Sequence, residues 1–222
     1  MAYNPSALLN PLDFGVSSSI GTPIVYVVRH AQNDDDAQGK IRGLKDQKLN
    51  DEGERQLGGL REFFDGRPVL AVVTDDLSRT RSTAMAIAQV CNCQVETDLG
   101  LRSWDVGKLE GKSMEAHKLE IQDFKTHKDK VPIGGESWAA FKNKAFDAME
   151  RWTRRGMEAN GPIVLVTHGS FIQLFFERYG DWDTNADYDH TPLDQAGVAA
   201  LYLTRSGYDL KILMGDKKNG DE

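Results

Sequence analysis

The chain reads as an α/β protein, a three-layer sandwich in which a mainly parallel sheet carries helices on both faces. Short apolar runs rich in β-branched residues, Ile24–Val28, Val69–Thr74 and Ile163–Thr167, alternate with longer amphipathic segments. Two of these runs end in histidine, one at Val28-Arg29-His30 and the other at Val166-Thr167-His168. Ligands of open α/β sheets gather at the carboxyl ends of the strands, so the two histidines point to one pocket between them. The 222 residues suffice for one α/β domain with a full core. No internal repeat or low-complexity linker interrupts them. A single domain over residues 1–222 is expected, with 1–21 as an irregular extension and 215–222 as a flexible tail.

Taken in order, the first strand is Ile24–Val28, followed by a polar loop from Gln32 to Lys48. Asn50 suits an N-cap, and Asp51, Glu52 and Glu54 place acid in the first turn of a helix that runs to about Phe64. Gly66-Arg67-Pro68 ends it before the strand Val69–Thr74. Asp75 or Asp76 is expected to cap the next helix, to about Val90. A short extended segment near Val95 and Leu99 precedes a charged helix, about Met114 to His127, expected to be a lid or a cap over the sheet edge. Pro132 and Gly134-Gly135 break the chain before a long amphipathic helix over about Ser137–Glu158. The strand ending at His168, a helix from Ser170 to Tyr179, and a hairpin of Gly197–Leu203 with Tyr208–Met214 complete the chain.

Composition narrows the partners. A net charge of −7 disfavours nucleic acid and anionic membranes. No apolar run approaches the ~18 residues of a membrane-spanning helix, and no basic region precedes the apolar residues of the N-terminus as in a secretory signal. Cys91 and Cys93 are too close for an easy disulfide and form no zinc set, which fits a reducing compartment. A cytoplasmic protein is expected, with no cofactor, and a homodimer is allowed for.

Arginine and histidine are the residues that carry chemistry. Arginine makes forked hydrogen bonds to phosphate oxygens, and histidine can attack phosphorus or donate a proton. Arg29 adjoins His30, Arg42 lies in the loop that returns past it, and Arg79 lies one turn into the helix after Thr74. The helix after His168, beginning at Gly169, can offer backbone N–H groups to an anion. These residues describe an oxyanion pocket, most naturally one for a phosphoryl group. No metal site is expected: Asp34-Asp35-Asp36 has no matching acidic partner and reads as a solvated loop. His190 is expected not to reach the pocket.

Arg29-His30-Ala31, Asp76–Ala84 and Val164–Gly169, in that order along the chain, resemble motifs of the histidine phosphatase superfamily, which includes the cofactor-dependent phosphoglycerate mutases. Arg29-His30-Ala31 is similar to its Arg-His-Gly signature. Gly39–Gly43, Leu49–Gly53, Asp76–Ala84, Gly107–Gly111, Gly134–Ser137 and Val164–Gly169 resemble further blocks, in the family's order. The resemblance implies a phosphoglycerate mutase-like fold and a phosphatase acting on a small phosphorylated substrate. His30 would be the phosphoryl-carrying nucleophile, and Arg29, Arg79 and His168 would clamp its oxygens. Arg42, Gly43 and Gly169 would serve substrate binding, and Glu136 would join them as a residue that organises the loop near the pocket. Asp36 stands where many members have a phosphate-binding asparagine, and Ser103 where the family usually has the glutamate that protonates the leaving group. Asp105, two residues on, is the candidate substitute acid, with a local hydrogen-bond anchor as its other reading. The alternatives are a mutase, against which Lys112–Pro132 offers no arginine, and a catalytically weak phospho-ligand-binding protein.

Overall fold

The computed structural model describes residues 21–180, 191–204 and 207–216. His190, most of the N-terminal extension and most of the proposed tail lie outside them.

The elements follow in the order β1 (Pro23–Arg29), α1 (Asp34–Ala37), α2 (Asp51–Phe64), β2 (Ala71–Thr74), α3 (Ser78–Cys91) and β3 (Val95–Thr97). Then come α4 (Met114–Thr126), α5 (Trp138–Glu158), β4 (Ile163–Thr167), α6 (Gly169–Tyr179), β5 (Leu193–Thr204) and β6 (Gly207–Asp216). Among the described residues the six strands form one sheet, ordered β3-β2-β4-β1-β5-β6. Strands β3, β2, β4 and β1 run parallel, whereas β5 and β6 are antiparallel to their neighbours.

Alternation along the central strands divides the core into two layers. Val25, Val27, Ile163 and Leu165 face α5 and α6, packing with Trp138, Met149 and Phe171. Tyr26, Val28, Val164 and Val166 face α2 and α3, packing with Leu57, Leu60, Phe64 and Ile87. Both faces of β1 and β4 are therefore buried, which explains why these strands read as continuous apolar runs. Among the described residues no helix is long and apolar enough to cross a membrane.

Three local features differ from the sequence reading. The polar loop after His30 contains the short helix α1, capped by Asn33 and closed by reciprocal hydrogen bonds with Asp36. Strand β5 begins at Leu193, earlier than its apolar core suggests, because a bulge lets the chain pair on both sides of a register shift. Helix α3 starts after Leu77 and has no side-chain cap. Asp75 and Asp76, expected as caps, cap no helical N–H: Asp75 accepts from Leu77 N and Thr80 Oγ1 just at the helix start and bonds His168 with its other oxygen, and Asp76 bonds Arg102.

Candidate active site

The parallel register assembles the site. Arg29 of β1 lies opposite Thr167 of β4, so the next residues, His30 and His168, leave the sheet side by side. His30 N donates to Thr167 O at 3.0 Å, and the two imidazole centroids lie 5.1 Å apart. Thr74 of β2 pairs with Val166 on the other side of β4, which brings Asp75 out beside them. Three adjacent strands thus deliver two histidines and a carboxylate to one place.

His30 is buried and its ring has a defined tautomer. Nδ1 lies 2.8 Å from Ala31 O, a carbonyl that can only accept, so Nδ1 carries the proton and Nε2 keeps its lone pair. Burial pushes the His30 pKa well below its ordinary value, against the pull of Asp36, so the ring is neutral at physiological pH. The turn after it is held by Thr83, whose Oγ1 accepts from Ala31 N and donates to Arg79 O.

His168 contacts a carboxylate and a guanidinium through its two nitrogens. Nε2 lies 2.5 Å from Asp75 Oδ2, and Nδ1 accepts from Arg79 at 3.3 Å. Burial lowers its pKa and Asp75 opposes that shift. Arg79 also donates to the carbonyls of Gly43 and Lys45, at 2.9 Å each. Gly43 therefore holds the arginine through its carbonyl, while its own N–H donates to Glu110.

Asp36, which would repel phosphate if it stood alone, is neutralised locally. Its Oδ1 lies 2.9 Å from Arg42 Nε and 3.8 Å from Arg29. Burial alone would raise its pKa; His30, Arg42 and Arg29 outweigh that and hold it at about 2. Arg29 donates to Leu193 O, and burial together with Arg42 lowers its pKa to about 10. The Nε atoms of Arg29 and Arg79 are buried and find no hydrogen-bond partner among the described residues.

A pocket of about 600 Å³, counting its open mouth, is lined by His30, His168, Arg42, Gly169 and Ser170 among others. Its apolar wall includes Ile41, Trp104 and Val106, and α4 lines it with Met114, Ile121 and Lys125. Gly169 opens α6, and a Cβ there would lie 2.7 Å from Thr191 Oγ1. His30, His168, Arg42 and Gly169 thus share one cavity, with Arg29 and Arg79 buried beside its lining.

Gly43, Asp105 and Glu136, all expected in the site, do not line that pocket. Asp105 faces a neighbouring groove with Arg102, Lys144 and Arg151, and its Oδ1 accepts from Gly107 N at 3.0 Å. The chain turns at Gly107, whose φ is +53°, which directs the Asp105 carboxylate to its own backbone. Glu136 lines the same groove, where it accepts from Asp105 N and pairs with Lys144. It organises the loop: its carbonyl takes Trp104 Nε1, and Gly135 packs backbone against backbone on Asp105. Ser103 does line the pocket, with its hydroxyl 3.2 Å from that of Ser170.

The residue that sequence reasoning missed is Asp75. It follows its strand as His30 and His168 follow theirs, and that shared position was the available signal. Lys125, Gln173 and Thr191 were also missed, because only tertiary packing brings them to the cavity.

A family model described as the histidine phosphatase superfamily (branch 1) matches residues 25–214. A protein of Klebsiella pneumoniae subsp. pneumoniae named a probable phosphoglycerate mutase GpmB is 31% identical over 151 residues, spanning 65% of this chain and 69% of its own length. The structure of alpha-ribazole phosphatase from Shigella flexneri matches with a TM-score of 0.69 at 18% identity, over 86% of this chain and 96% of that one. A phosphoglycerate mutase from Bacillus anthracis str. Sterne matches with a TM-score of 0.70 at 16% identity, over 85% and 91%. At those identities the structural likeness speaks for the fold alone, whereas the family model spans most of the sequence. The chain belongs to branch 1 of the histidine phosphatase superfamily.

Proposed function

We propose that this protein is a metal-independent phosphomonoesterase that works through a phosphohistidine on His30. The observation that carries the reading is the state of His30: buried, neutral, with Nδ1 committed to Ala31 O and the Nε2 lone pair left for attack.

In the first step Nε2 forms a bond to phosphorus while the bond to the leaving oxygen breaks, its electrons going to that oxygen. Water then attacks the phosphohistidine, releasing inorganic phosphate and restoring Nε2. Such transfers need in-line placement and charge stabilisation more than covalent help from the protein. Arg29, Arg79, Arg42 and His168 supply donors, and the N-terminus of the eleven-residue α6 adds the Gly169 end of its dipole. The absence of arginine from Lys112–Pro132 favours hydrolysis over mutase chemistry.

The test is product analysis. Nitrophenyl phosphate and 3-phosphoglycerate are incubated in ¹⁸O-labelled water. Inorganic phosphate carrying one solvent oxygen is expected. Isomerised phosphoglycerate without phosphate release contradicts the hydrolytic reading. Ser103 at the acid position supports a second reading, a phospho-ligand-binding protein with weak turnover, which the same assay identifies by binding without product.

A further inference from the structure

Asp75 is fully buried, and both of its carboxylate oxygens are used. Oδ1 accepts from Leu77 N at 2.8 Å and from Thr80 Oγ1 at 2.5 Å. Those two donors fix the carboxylate plane and aim Oδ2 at His168 Nε2. An ionised carboxylate can only accept, so the ring proton lies on Nε2, and Nδ1, which accepts from Arg79, is unprotonated.

We propose that Asp75 is the positioning residue of this site: by taking the Nε2 proton of His168 it dedicates Nδ1 to the phosphoryl oxygens, and it balances the charge of the ring when Nδ1 takes up a proton to meet them. The inference rests on the phosphoryl reading of the pocket.

The geometry makes the effect specific. The charged and titratable groups facing His168 are Asp75 after β2, Arg79 in α3, His30 after β1 and Asp36 in α1. Of these, Asp75 alone is hydrogen-bonded to Nε2 among the described residues. An incoming dianion competes with His168 Nδ1 for the Arg79 N–H. Once that contact is exchanged, Nδ1 faces an acceptor and gains a proton, while Nε2–H stays on Asp75. His168 then meets the anion as a charged donor, the stronger kind of hydrogen bond.

Asp75→Asn reverses this logic. Leu77 N–H still requires an oxygen at the first position, so the amide NH₂ faces His168. Nε2 must then accept, the ring proton moves to Nδ1, and that proton opposes the Arg79 donor.

The experiment is ¹⁵N NMR of histidine-labelled protein with and without saturating sulfate, a tetrahedral dianion that does not titrate near neutral pH. The His168 signals are assigned by their loss in His168→Gln. The wild type is expected to show the Nε2–H tautomer alone and the doubly protonated ring with sulfate. Asp75→Asn is expected to show the Nδ1–H tautomer and no doubly protonated ring. Its kcat on nitrophenyl phosphate should fall on the order of 10²-fold or more, as when a catalytic histidine is held in the wrong tautomer, with a smaller change in KM. A wild-type Nδ1–H tautomer overturns the inference even if the variant fails to fold. So does an Asp75→Asn protein whose His168 still becomes doubly protonated with sulfate. If sulfate shifts neither His30 nor His168, the phosphoryl reading falls and this inference with it; a shift of His30 with His168 unchanged overturns the inference alone.

Discussion

Asp36 Oδ1 lies 2.9 Å from Arg42 Nε and 3.8 Å from Arg29, so this carboxylate is an ion-pair partner and not an isolated negative charge. The half-buried pair, in which the Asp36 carboxylate is buried and Arg42 partly exposed, has a cost and a consequence. A carboxylate taken from water survives ionised only when paired and hydrogen-bonded. Asp36 has both, with Arg42 at its side and Asn33 N donating to Oδ2 at 3.0 Å.

The consequence is an acid-sensitive contribution to stability. Asp36 is held at about 2, below its ordinary 3.8. A depressed folded pKa stabilises above the unfolded value and loses that contribution as pH falls through the folded one. The shift corresponds to about 2 kcal/mol. Asp36→Asn should flatten the fall in stability between pH 3.8 and about 2, measured by urea unfolding at stepped pH. An unchanged acid limb would show that other carboxylates set it.

Ser103 concerns the leaving group. A positioned general acid contributes about 10²–10⁴-fold, and an alkoxide needs it far more than a nitrophenolate does. With serine in the pocket and Asp105 turned to Gly107, activated esters should be preferred. Ser103→Glu should raise kcat/KM for alkyl phosphates more than for nitrophenyl phosphate. Asp105→Asn should leave that ratio unchanged. A selective loss on alkyl phosphates in Asp105→Asn would restore Asp105 as the acid.

Gly53 ties α2 to the turn after His30. A Cβ at this position would lie 2.1 Å from Gln32 O, two residues beyond His30. Backbone atoms cannot yield as side-chain ends do. Gly53→Ala should cost about 2 kcal/mol or more, seen as a lowered midpoint in denaturant, and should reduce activity in the protein that remains folded. A wild-type midpoint would mean that the α2 entry shifts freely.

How much of this was legible in the sequence depends on the kind of contact. Residues Ile24–Val28 and Ile163–Thr167 announced themselves as strands because both faces are buried, and their histidines followed. Asn50 was legible as a cap because capping is local: it accepts from Gly53 N three residues on. Asp75 was not legible as a partner of His168, because local sequence offers it an equally good place at a helix start. Asp105 is a local hydrogen-bond anchor, the second of its two readings, and lies outside the pocket that its reading as an acid requires. Extended spacing placed it beside Ser103, but the turn at Gly107 gave its carboxylate a nearer donor.

Chelation tests the chemistry of the pocket. Among the described residues no group of three or more His, Cys, Asp or Glu side chains is placed to hold a metal ion, and the donors around His30 are arginine and histidine. Activity should persist after exhaustive treatment with a chelator. Loss restored by one divalent ion would assign the reaction to a metal.

The central claim is that His30 carries the phosphoryl group. Rapid quench of the enzyme with ³²P-labelled substrate tests it most directly, with the label then located by peptide mapping. The account predicts an acid-labile, base-stable label on the peptide containing His30, absent from a folded His30→Ala protein. The same label accumulating in His30→Ala, or mapping to another residue, would contradict it.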